Sequence, residues 1–133
     1  MDPLDLLKTY EMPLARMMGI TFTHADADRV VATMEVRADL CTLMNRIHGG
    51  ALMAMADSVG AAATILNLPK GAMTTTIESK TNFTASAKQG TTVTAEATPV
   101  HKGRRTQVWT TRITTEDGKL AAHVTQTQLV IEP

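Results

Sequence analysis

His48, Gly49 and Gly50 stand directly before the run ALMAMADSVGAAATIL, and Asp57 is the one charge inside that run. These residue types at this spacing suit acyl chemistry. The first amides of a helix have no partner within it, and the helix dipole adds partial positive charge there. A carbonyl oxygen set against the Gly50 amide would be polarised, and an oxyanion formed on it would meet a donor already in place. Asp57 supplies the other half. A carboxylate is costly to bury and a weak helix former, so in the middle of an apolar helix it needs a functional or pairing reason. General base and nucleophile are both open roles for it.

Each feature also has a plainer reading. Gly49 and Gly50 could simply permit a tight loop-to-helix turn, and Asp57 with Ser58 could be a satisfied polar network or a face turned to solvent. Their combination favours chemistry over both. The spacing adds a constraint: seven residues of helix separate Gly50 from Asp57 by roughly 10 Å along the axis, too far to serve one carbonyl. One catalytic centre therefore needs Gly50 from one chain and Asp57 from another, and a two-fold homo-oligomer provides both pairs at once.

The elements that must hold these residues follow from the rest of the pattern. Residues 50 to about 66 are strong helix formers, apolar on nearly every side, and predict a central enclosed helix. Residues 3–18 predict a short covering helix interrupted at Met12-Pro13. Ile20 to Ala25 and Arg29 to Val36 flank the polar tract Asp26-Ala27-Asp28 as two strands around a turn. After Asn67-Leu68-Pro69-Lys70-Gly71, a stop signal, the chain turns to threonine and valine with period-two alternation, as in Val93, Ala95, Ala97 and Pro99. Gly90, Lys102-Gly103 and Asp117-Gly118 divide this half into three or four strands, expected as a long antiparallel meander. An antiparallel sheet curled around one long central helix is the α+β solution, the hot-dog fold.

Length and composition narrow the rest. At 133 residues and 44% hydrophobic, residues 1–133 are expected to form a single domain. Thirteen basic side chains balance thirteen acidic ones, which leaves no overall field to gather the chain on nucleic acid or an anionic membrane. The single cysteine, Cys41, excludes an internal disulfide and gives no zinc-ligand spacing, so no metal is expected and a reducing cytoplasm fits best. The amino terminus lacks the form of a signal peptide. Gly49 to Leu68 carries Asp57, Ser58 and Asn67, which disfavours a membrane span.

The segment NRIHGGALMAMADSVGAA, with Asp57 eight residues after the second position of its His-Gly-Gly, closely resembles the signature of the PaaI-like, phenylacetyl-CoA thioesterase branch of hot-dog proteins. The resemblance extends through TIESKTNFTASAKQG, the GRR group and GKLAAHVTQTQLVI, covering most of residues 14 to 131. It implies the hot-dog fold, a homodimer or a dimer of dimers (a homotetramer), and hydrolysis of an acyl-CoA to free acid and coenzyme A with no cofactor. Carried over by position, it implies that His48 orients the thioester, Gly50 supplies the oxyanion amide, Asp57 acts as base or nucleophile, and Thr76 sits beside the carboxylate's water. The resemblance also implies that Asn45 and Gly49 contribute to substrate binding in the same loop. Lys102, Arg104 and Arg105 lie at the turn where the family contacts the nucleotide, Arg104 foremost. Two positions depart from the family pattern: Thr42 stands where an asparagine or glutamine is usual, and Asn45 where glycine is preferred. Asn45 tolerates the left-handed backbone that such a glycine would adopt.

A hot-dog dehydratase would pair its histidine and carboxylate at a different spacing. A non-catalytic acyl-CoA binder or sensor would explain the glycines and arginines but gains nothing from a desolvated acid facing a neutral thioester. The acyl group is open between aryl and short or medium chain; Met17, Met18, Met53 or Met55 could line its pocket, or pack the core.

Overall fold

A computed structural model describes residues 1–133. Its elements, in chain order, are α1 (Pro3–Thr9), α2 (Pro13–Met18), β1 (Thr21–Asp26), β2 (Arg29–Glu35), α3 (Gly49–Ile65), β3 (Met73–Phe83), β4 (Thr92–Lys102), β5 (Thr106–Thr114) and β6 (Leu120–Ile131). Short 3-10 turns at Ala38–Leu40 and Leu43–Asn45 join β2 to α3. Pro13 divides the N-terminal helices as its missing amide requires, and Gly19, at φ 79°, ends α2 in the left-handed region.

The six strands form one antiparallel sheet in the order β1-β2-β4-β5-β6-β3, curled but not closed, with β1 and β3 as its edges. Only β4, β5 and β6 form the expected meander. β3 crosses to the far side and pairs with β6, from Met73↔Ile131 to Phe83↔Ala122, so β3 and β4 are not neighbours. Turn residues alone could not reveal this, because they fix where strands end but not which strands pair. Asp117-Gly118 does make a tight hairpin turn, with Gly118 at φ 85°.

Period-two alternation turns one face of the sheet toward α3. Val30, Ala32 and Met34 of β2, Val93, Ala95 and Ala97 of β4, Trp109 and Ile113 of β5, and Ala122 and Val124 of β6 are all buried. The many alanines let the helix lie close, while Trp109 and Met34 fill the wider gaps. Leu52, Met55, Ala56, Val59, Gly60, Ala62 and Ala63 are the helix's answering side. The enclosure is one-sided in a single chain: Met53 is 38% exposed, and Ala54, Asp57, Ser58 and Ala61 are only half-buried. That uncovered stripe borders the open edge strand β3, where Met73, Ile77 and Phe83 are exposed. No helix is long and apolar enough to cross a membrane.

Candidate active site

His48 is the N-cap of α3. Its backbone is extended (φ −69°, ψ 132°), its carbonyl accepts from the Ala51 and Leu52 amides, and its ring Nδ1 accepts from the Gly50 amide at 2.8 Å. The amide predicted to polarise a carbonyl is therefore present at an exposed residue, and its N–H is engaged by the imidazole of His48. Both glycines have a local steric role as well. A side chain on Gly50 would begin 2.9 Å from His48 Nδ1, and one on Gly49 would begin 3.2 Å from the Phe83 ring. Upstream, Asn45 has φ 58°, the left-handed conformation anticipated for it, and Met44 precedes it at φ 60°. Asn45 accepts the Gln89 amide through its carbonyl, which ties the loop to the segment between β3 and β4.

An open pocket of about 240 Å³ begins at His48 and Gly50 and is walled mainly by Met17, Met18, Leu40, Cys41, Ala51 and Ala54, with the Asp39 carboxylate on one side. Of the four methionines singled out for an acyl pocket, Met17 and Met18 line it. Met55 is core, and Met53 lies on the uncovered helix stripe.

Asp57 sits two turns further along, and its surroundings are polar. Its Oδ1 accepts from the Thr76 hydroxyl at 2.6 Å and from Gln126 Nε2 at 3.2 Å. Thr76 in turn accepts from Gln128 Nε2 at 2.6 Å, and Gln128 Oε1 lies 2.9 Å from the Thr74 hydroxyl. The β3 bulge between Thr76 and Glu78 leaves Thr76 facing the helix while Ile77 is exposed. Thr76 was legible through the family resemblance. Gln126 and Gln128 were missed, although a signal existed: they continue the inward row Val124, Gln126, Gln128, Val130 on β6, where a polar residue must find a partner.

The structure thus joins His48 to Gly50, and Asp57 to Thr76, but keeps these two groups apart within one chain. It also keeps the basic turn away from both. Lys102 Nζ bonds to Asp28 Oδ1 at 2.6 Å and lies near Asn67, just past the C-terminal end of α3. The 17-residue helix puts that end about 25 Å from His48. Arg104 is the freer cation, 72% exposed with only Glu132 at 4.0 Å. Arg105 is exposed beside it. The carboxyls held clearly below the ordinary range are Asp26, by the Asp28 amide and the His24 side chain, and Asp117, by the Thr115 hydroxyl. Both lie in hairpin turns outside the site. No group of three or more His, Cys, Asp or Glu side chains converges in a way that could hold a metal ion.

The thioesterase superfamily model matches residues 44–122, more than half of the chain. A 1,4-dihydroxy-2-naphthoyl-CoA hydrolase of Escherichia coli is 33% identical over 103 residues, covering 77% of this chain and 75% of the relative. Among solved structures, a thioesterase from Haemophilus influenzae superposes with a TM-score of 0.89 at 31% identity, over 97% of this chain and 90% of its own. The PaaI protein of the Escherichia coli phenylacetic acid degradation operon gives 0.87 at 25% identity, over 96% and 91%. A hypothetical thioesterase protein from Streptococcus pneumoniae, solved with coenzyme A, gives 0.78 at 25% identity, over 85% and 86%.

Proposed function

Since the chain belongs to the thioesterase superfamily and is a hot-dog thioester hydrolase, we infer that it cleaves an aryl- or short- to medium-chain acyl-CoA in a site shared by two copies of itself. The observation that carries this reading is the separation just described: the His48-capped Gly50 amide and the hydrogen-bonded Asp57 carboxylate lie along one helix, roughly 10 Å apart, with neither complete alone.

The uncovered surface supports the pairing. An 11-residue edge strand carrying exposed Ile77 and Phe83 is a liability unless something covers it. A two-fold partner pairing β3 with β3 would extend the sheet and lay the two α3 stripes antiparallel. Gly50 of each chain would then approach Asp57 of the other. The same antiparallel arrangement moves the Lys102–Arg105 turn of one chain toward the His48 end of its partner, so that Arg104 could meet the nucleotide phosphates. Lys102, committed to Asp28, would instead stiffen the turn. A further pairing of such dimers would give the homotetramer. A reducing cytoplasm suits the unpaired thiol of Cys41.

In the reaction, the thioester oxygen replaces His48 Nδ1 on the Gly50 amide, and the acyl group enters the pocket between Met17, Met18 and Ala54. Asp57 either takes a proton from water as that water attacks the carbonyl carbon, or attacks it directly to form an anhydride that water then opens. In both routes charge develops on the oxygen at Gly50 and collapses as the C–S bond breaks, and the departing thiolate of coenzyme A takes up a proton given by the water, directly or through the Asp57 carboxyl. Side chains, a backbone amide and water suffice for every step.

The test is thiol release from phenylacetyl-, benzoyl- and hexanoyl-CoA by the wild type and by Asp57→Asn. The wild type is expected to turn over at least one of them, and Asp57→Asn to lose roughly 10²–10⁴-fold in rate while still binding. Stabilisation of both proteins by acyl-CoA without thiol release from either would mark a binder and overturn the mechanism.

A further inference from the structure

Three glutamine side chains are buried against the helix, and they differ in how they are used. Gln107 on β5 is fully satisfied by framework groups: its Oε1 accepts from Trp109 Nε1 at 3.2 Å and its Nε2 donates to the Asn67 carbonyl at 3.3 Å. Gln126 and Gln128 on β6 both lead to Asp57. Gln126 donates directly to Oδ1, while Gln128 donates to the Thr76 oxygen, so that the Thr76 proton is directed to the same Oδ1. No side chain or amide bonds Oδ2.

Gln126 is accommodated at a visible cost. It occupies the space left by Gly60, where a side chain would begin 2.0 Å from its Oε1, and that Oε1 is buried with no hydrogen-bond donor. Oδ1 of Asp57 accepts at 3.2 Å and its backbone carbonyl lies in range at 3.5 Å, so the amide turns its nitrogen toward Asp57 and leaves its oxygen orphaned. A glutamine selected for stability alone would satisfy both ends, as Gln107 does. Both β6 glutamines lie beyond residues 44–122, the span matched by the family model.

The geometry points to Gln126 as a positioning residue for the reaction. Together with Gln128 acting through Thr76, it clamps the Asp57 carboxylate by Oδ1 and presents Oδ2 to the water or thioester carbon. This rests on Asp57 being the reacting carboxylate. The clamp fixes rotation about the Cβ–Cγ bond, and orientation of that kind acts on turnover more than on binding.

The experiment replaces each glutamine by methionine, which keeps its volume and removes the amide. Steady-state thiol release from whichever acyl-CoA the wild type hydrolyses is measured alongside melting temperature, with Asp57→Asn in parallel. Gln126→Met is expected to lower kcat about 10–100-fold with KM within about threefold, and Gln128→Met to lower it less. Gln107→Met is expected to lower the melting temperature and leave kcat within about twofold. If Gln126→Met does not fold, Gln126→Asn serves, because its shortened amide cannot reach Oδ1. An unchanged kcat in a folded Gln126 variant, or losses in all three variants that follow the melting temperature, overturns the inference. Full activity of Asp57→Asn overturns the reading beneath it instead, so the two failures are distinct.

Discussion

The two ends of the proposed chemistry are built differently. At the start of α3 the working group is a backbone amide, held by residues adjacent in sequence: His48 caps Gly50 two residues away. Around Asp57 the working group is a side chain, held by Thr76, Gln126 and Gln128, which come from 19 to 71 positions further along the chain and meet only when β3 and β6 pair. The first end depends on local conformation and the second on the whole sheet. Damage to the first should therefore act through the helix terminus, and damage to the second through tertiary placement.

Gly60→Ala tests the second end most sharply. Alanine favours the helix by about 1 kcal/mol, but its methyl group would displace the Gln126 amide from its place beside Asp57. Kcat is expected to fall by up to about 10²-fold while stability changes by no more than about 1–3 kcal/mol. Thiol-release kinetics beside a urea melt will show whether the two quantities separate. A loss of activity that merely follows unfolding would erase the distinction between the ends.

His48→Ala is the matching test at the first end, with a smaller effect expected. The lost cap should destabilise the fold by about 0.5–2 kcal/mol, the range for other N-caps, and turnover should fall roughly tenfold because the Gly50 amide itself remains. Thermal melts and kinetics on the same preparation check both numbers. A loss as deep as that of Asp57→Asn would give the imidazole a larger part than orientation.

This difference in construction also governs what could be read from the chain beforehand. His48-Gly49-Gly50, the left-handed Asn45 and the hairpin at Asp117-Gly118 are local features, and local sequence carries them. Asp57 was conspicuous as a charge in an apolar helix. The support around it was not, because pairing of β3 with β6 rather than β4 is a long-range choice that turn residues do not encode. Without that pairing, Gln126 and Gln128 read as two polar residues in a threonine-rich strand, although their alternation with Val124 and Val130 already placed them inward. The Lys102 turn shows the converse. Charge density marked the cluster, but only the fold reveals that Lys102 is bound to Asp28 while Arg104 stays exposed.

The shared site is tested most directly by complementation. Asp57→Asn and His48→Ala chains, refolded together in equal amounts, would form mixed dimers that carry one site with His48, Gly50 and Asp57 all native and one site with both substitutions. Half of the dimers would be mixed and each would hold one intact site of two, so thiol release should recover to about a quarter of the wild-type rate, well above the mean of the two parents. Activity that stays at that mean would place the His48-Gly50 amide and the Asp57 carboxylate of each working site on a single chain, and would contradict the account.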